Sequence, residues 1–131
     1  MLRAVVFMLA LTGLVDAQMP KSLYPWWGNK LVVRQLNLSN KQVEEIRAAV
    51  SHYQPQLLED RAKVLRAEQN LEDQFNGEPV DQAKANQAIE QLITARTGLT
   101  RTLSELSLKL RVLLSSAQWQ QLQHLRPNRP E

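Results

Sequence analysis

The stretch LNLSNKQVEEI, residues 36–46, has its core repeated in LLSSAQWQQL, residues 113–122, so that Leu-Ser-x-x-Gln stands at Leu38–Gln42 and again at Leu114–Gln118. A serine followed three residues later by glutamine, at the head of an apolar-periodic run, is the signature of a capping box. Ser39 takes the N-cap position, where its hydroxyl accepts a bond from the N–H of Gln42, and the Gln42 side chain reaches back to the N–H of Ser39. Leu38 before the cap and Val43 at the fourth helical position are placed to form a hydrophobic staple. Ser115, Gln118, Leu114 and Trp119 repeat every part of the arrangement. The repeat therefore predicts two helix starts.

Periodicity carries the reading outward from each start. Val43, Ile46, Val50, Tyr53 and Leu57 step by threes and fours, and the stripe continues through Val64 and Leu71. This predicts one helix from Asn40 to about Phe75. Pro55 interrupts it by removing the bond to Ser51, and because the apolar phase survives, a kink near 51–55 is expected rather than a break. NGEP at 76–79 stops the helix. A second long helix is predicted from about Val80 to Leu113, with Ala85, Ile89, Leu92, Leu99, Leu103, Leu106, Leu110 and Leu113 as its stripe and Arg96 as the one exception. Ser115 opens a last short helix to about Leu125. Residues 30–36 are expected to form another short helix, after an irregular stretch in which Trp26 and Trp27 fold back to cover the core, with a docking handle as the alternative. The expected fold class is all-α: a long kinked antiparallel helical hairpin with a short helix at each end. Arms of about 34 residues are ~50 Å long. An object so thin cannot bury both faces of each arm, so a second copy of the chain is the natural partner, in a cradle-like dimer.

Composition and termini bound the setting. The first stretch, MLRAVVFMLALTGLVDAQ, has a positive Arg3, an uncharged apolar run from Ala4 to Val15, and Val15-Asp16-Ala17 before a cut. It reads as a signal peptide over 1–17. Its apolar run of about twelve residues falls short of the roughly 20 that span a bilayer; an uncleaved anchor is the alternative. The expected organisation is the signal peptide 1–17, an irregular segment with a short helix over 18–37, the hairpin and last helix over 38–125, and a disordered tail over 126–131. Export then implies a periplasmic protein with no membrane span after cleavage. With no cysteine, it holds together by packing alone. A net charge of +3 is too weak to indicate nucleic acid as a partner.

Residues with chemistry to offer are scattered. His52 and His124 lie far apart, and no glycine-rich phosphate loop or nucleophile-base pair is visible. The neighbours Glu44-Glu45, Glu59-Asp60 and Glu72-Asp73 point ~100° apart on a helix and read as solvated faces. No enzyme activity, cofactor or metal site is expected. Arg96 sits where the stripe demands an apolar residue, and on the other arm Asp60 does the same. Both lie equally far in sequence from Glu78. A seam ion pair between Asp60 (or Glu59) and Arg96 is therefore expected, with snorkelling of both to water as the alternative.

The two Leu-Ser-x-x-Gln copies, one opening the first long helix and one the last, resemble the LTxxQ-motif proteins of the Gram-negative periplasm, the Spy/CpxP-like chaperones with the related metal-responsive ZraP/CnrX proteins. Ser39 and Ser115 stand where the motif usually has threonine. The resemblance covers residues 36–125. LEDRA at 58–62 matches the charged stretch of the first long helix through Leu58, Glu59, Asp60 and Arg61, with Ala62 in place of a second arginine. What the resemblance implies is a cradle-shaped antiparallel dimer that binds unfolded or misfolded envelope proteins weakly and without ATP, and possible restraint of a sensor kinase as an envelope-stress adaptor. Client contacts are expected at Arg47, Arg61, Lys63 and Arg66, with Leu58 and Leu65 as exposed apolar neighbours. The alternatives are a heavy-metal-responsive sensor of the ZraP/CnrX type, whose histidine ligands have no match here, and a dimeric scaffold for one dedicated partner.

Overall fold

A computed structural model describes Leu23 and residues 25–125. The expected signal peptide over 1–17 and the tail over 126–131 lie outside the described residues. Among the described residues a 3-10 turn, Trp26–Gly28, precedes four helices: α1 (Lys30–Gln35), α2 (Asn40–Phe75), α3 (Gln82–Leu113) and α4 (Ser116–Leu125). No strand occurs among the described residues. The long arms α2 and α3 pack on each other and run antiparallel, with Gln42 beside Leu113, Asp60 beside Thr102 and Asn70 beside Gln91.

Local chemistry sets each boundary. The Asn29 side chain accepts from the N–H groups of Leu31 and Val32 and so starts α1. Asn37, just past the end of α1, has φ 51°, the left-handed position in which asparagine ends helices. Asp81 caps α3 by accepting from the N–H of Lys84 at 3.1 Å, so that helix begins at Gln82 and not at Val80 as the periodicity suggested. Pro55 lies within α2, which runs through it unbroken.

The core is unevenly distributed. Its larger cluster lies at the open end of the hairpin, where Trp26, Leu36, Ile46, Leu57, Leu106, Leu110 and Leu122 bring together all four helices and the 3-10 turn. Trp26 is 2% exposed and Trp27 packs half-buried against the same cluster, as expected of two rings covering a helical core. Each fully buried leucine contributes about 1.5–3 kcal/mol. Toward the turn the seam narrows to Val64, Ala67 and Leu92.

Both capping boxes form. Ser39 Oγ accepts from Gln42 N and Gln42 Oε1 from Ser39 N, at 3.1 and 3.0 Å, and Ser115 and Gln118 reproduce this at 3.1 and 2.9 Å. The two boxes also close on each other. Gln42 Nε2 donates to Gln118 Oε1 at 2.8 Å, and Gln118 Nε2 donates back to Gln42 Oε1 at 3.1 Å. The remaining amide hydrogens go to the carbonyls of Leu113 and Leu36, at the ends of α3 and α1. A primary amide has two N–H donors and two acceptor lone pairs, and each glutamine uses all four. One network thus serves the starts of α2 and α4 and the ends of α1 and α3, whose terminal groups lack partners within their own helices. Gln121 adds a further bond to the carbonyl of Gln35 at 2.8 Å. Arg111 lies 4.9 Å from the centroid of the Trp119 ring, a cation–π contact joining α3 to α4.

A capping box accepts glutamate as readily as glutamine, but this clasp needs the amide hydrogens. Gln118→Glu is expected to keep the cap and to turn an oxygen onto two others, lowering the unfolding free energy by about 2 kcal/mol in urea titration. Gln120→Glu, at an exposed neighbouring position, is the control and should change it by less than about 0.5 kcal/mol. Equal stability of the two variants would show that the clasp contributes nothing.

Candidate client-binding surface

The six residues expected to meet a client all lie exposed on α2, but they do not share one surface. At ~100° per residue, Arg47, Leu58, Arg61 and Leu65 fall within a sector of about 60°, whereas Lys63 and Arg66 stand ~80–140° round the helix from Leu58. The first four form a stripe on the outside of the hairpin. Leu58 is 59% and Leu65 64% exposed, with Arg61 between them. No carboxylate lies within ion-pair distance of Arg47, Arg61 or Arg66 among the described residues. Lys63 does have a partner, Glu59 at 3.4 Å, with both side chains about half exposed; such pairs contribute little.

Lys63 and Arg66 instead border a shallow groove of about 710 Å³ between the arms. The groove exists because the facing positions are small. Ala67, Ala95 and Gly98 line it, and a Cβ placed on Gly98 would meet nothing nearer than Asp60 Oδ1 at 4.0 Å. Glu90 on α3 also lines it, nearer the turn than the two basic residues.

The expected seam ion pair is not formed. Asp60 does occupy the apolar stripe and is only 5% exposed, but its partners are neutral: Thr102 Oγ1 donates to Oδ2 at 2.6 Å and Gln56 Nε2 to Oδ1 at 2.9 Å. Arg96 lies 3.6 Å from Glu68 on the other arm, and its Nε and Nη2 make no hydrogen bond. The error was one of register. The cross-arm pairs Asn70–Gln91, Asp60–Thr102 and Glu68–Arg96 are centred on Val80–Gln82, not on Glu78, so the residue level with Asp60 is Thr102. Thr102 also sits three residues after Leu99 and four before Leu106, on the α3 stripe. A hydroxyl at that position is a legible sign of a polar partner for Asp60.

Among the described residues, no group of three or more His, Cys, Asp or Glu side chains is arranged to hold a metal ion, and no helix is long and apolar enough to cross a membrane. No family model, curated protein or solved structure matches the chain. The functional reading therefore rests on the residues themselves and on the motif resemblance.

Thr102→Val removes the shorter of the two bonds to a buried carboxylate and is expected to cost about 2 kcal/mol in chemical denaturation. Arg96→Gln removes a long ion pair, at 3.6 Å, together with two nitrogens that are buried without a hydrogen-bond partner, and the two effects offset, so it should cost less than about 1 kcal/mol. The reverse order of severity would contradict this assignment of the seam.

Proposed function

We propose that the chain is an exported, periplasmic, ATP-independent chaperone of the Spy/CpxP type, which holds unfolding polypeptides weakly on the outer stripe of α2. What carries this reading is the exposed sequence of cation and leucine along one side of a rod: Arg47, Leu58, Arg61 and Leu65, with both leucines more than half in solvent and neither arginine paired. Exposed large apolar side chains that recur along one element favour contact with other chains. Here the guanidinium of Arg61 breaks the apolar surface into separate small contacts. Each is weak, and a client held by several can leave one at a time and fold. The paired capping boxes support the same reading, since the motif resemblance rests on them and they close on each other in one clasp.

The working unit in this proposal is an antiparallel homodimer with a bend at Pro55, where the missing N–H frees the carbonyl of Ser51. Two hairpins side by side would make a broad shallow surface. Restraint of a sensor kinase, as an envelope-stress adaptor, is compatible with that surface and is part of the proposal.

Residues 18–131 are expected to suppress aggregation of an unrelated unfolding protein at low salt, without nucleotide, at several-fold molar excess. Light scattering measures this, and Leu58→Ser with Leu65→Ser should abolish most of the effect while circular dichroism stays unchanged. Sedimentation should give a dimer. Absence of suppression by the unaltered chain would rule the chaperone reading out; a monomer would remove the cradle.

A further inference from the structure

A second feature lies at the basic end of the stripe. Residues 27–38 and the first half of α2 together line a cleft of about 340 Å³. Trp27, Val33, Leu38, Val43 and Val50 supply its apolar wall. That wall is held in place, because the Trp27 ring stands edge-on to the buried Trp26, with centroids 6.1 Å apart and planes at 81°. The polar edge runs along α2 as Arg47, Ser51 and Gln54. Among the described residues Arg47 is the one charge in the lining; it is exposed and has no hydrogen bond or ion pair with any of them. A cleft of this size, mostly apolar with a few polar groups along one edge, has the make-up of a small binding site.

The cleft also opens onto the stripe. From Gln54 the helix presents Leu58, Arg61 and Leu65 at steps of four, three and four. The track from Arg47 to Leu65 is ~27 Å long, the reach of about eight residues of extended chain. Between those ends the sequence holds two carboxylates, and neither faces the track: Asp60 is buried in the seam, and Glu59 points about 100° away and pairs with Lys63. The track therefore carries cationic, apolar and neutral polar side chains and no carboxylate between its ends.

We infer that this cleft is a subsite for an extended client segment in which an apolar side chain lies close to a carboxylate. The apolar side chain enters beside Trp27, the carboxylate meets Arg47, and the rest of the segment follows the track toward Arg61. The inference rests on the chaperone reading and adds to it a client class, acidic-apolar segments in preference to basic ones. Charge complementarity decides the occupant: none of the described lining residues would hold a cation, and Arg47 would repel one.

The test measures fluorescence anisotropy of a labelled nonapeptide of leucine, serine and aspartate, in low salt, against the same order with lysine for aspartate and with serine for leucine. The aspartate peptide should bind about fivefold tighter than the lysine peptide, the size of a partly exposed ion pair, and the leucine-free peptide should not bind. Arg47→Glu, at an exposed position with no partner to lose, should reverse the preference. Equal binding of the acidic and basic peptides, or an unchanged preference in Arg47→Glu, overturns the inference; so does binding of dodecanoate in the absence of peptide binding. Suppression of aggregation without the peptide preference would sink the subsite and leave the chaperone reading. The preference without suppression would do the reverse.

Discussion

Two side-chain amides set the plan of this molecule. Gln42 and Gln118 each cap their own helix, bond to each other, and take up the last free carbonyls of the helices across from them. Four helix ends are satisfied at one point, and none of the eight hydrogen-bonding capacities of the two amides is wasted. The geometry leaves little choice about what lies nearby. If α1 ends where α4 begins and α3 ends where α2 begins, the short helices must fold over the open end of the hairpin. The buried leucines and Trp26 collect there for that reason.

The remainder of the hairpin is thinner, and its packing shows it. Beyond Leu57 the seam passes through a polar layer, Asp60 with Thr102 and Gln56, before reaching the small alanine-containing cluster near the turn. A buried carboxylate with neutral donors adds little net stability compared with a leucine in its place, but it is satisfied only when Thr102 lies level with it. A leucine seam alone tolerates sliding by a turn; this layer does not. It fixes how far one arm is displaced along the other, and therefore which side chains of α2 and α3 share a face of the rod.

What could be read from the sequence was what is encoded locally. Both capping boxes and the end of α2 at Phe75 follow from neighbours in the chain and from a 3.6-residue period. The register was not local. It depends on how residues 76–81 carry the chain past the end of α2 before Asp81 caps α3, and no periodicity records that path. Measuring from Glu78 placed Arg96 opposite Asp60, where the fold has Thr102. Alanine was a second blind spot: Ala49, Ala67 and Ala88 are buried, yet alanine is common on every side of a helix and gives no signal. The candidate surface divided for a simpler reason. Arg47, Lys63 and Arg66 were grouped by charge, although their angles around α2, which the sequence does contain, already put them on different sides.

The exposed stripe is coherent with the same economy. In a two-rod fold the outer side of α2 is covered by its own chain only in part, beside Trp27, Val33 and Leu38, and stays open from Leu58 onward. A continuous leucine face there would drive association without limit, and a fully charged face would bind nothing apolar. Leu58, Arg61 and Leu65 lie between those extremes: each leucine is isolated by a guanidinium that must stay hydrated or find an anion. Affinity for any extended partner then comes as a sum of small terms, with no deep pocket to concentrate it. Under the proposed chaperone reading this is the property that matters, because a client gripped at one tight site could not fold while bound. The clasp supports it indirectly, by keeping the open end of the hairpin closed so that the apolar core stays inside and only the broken stripe is offered to solvent.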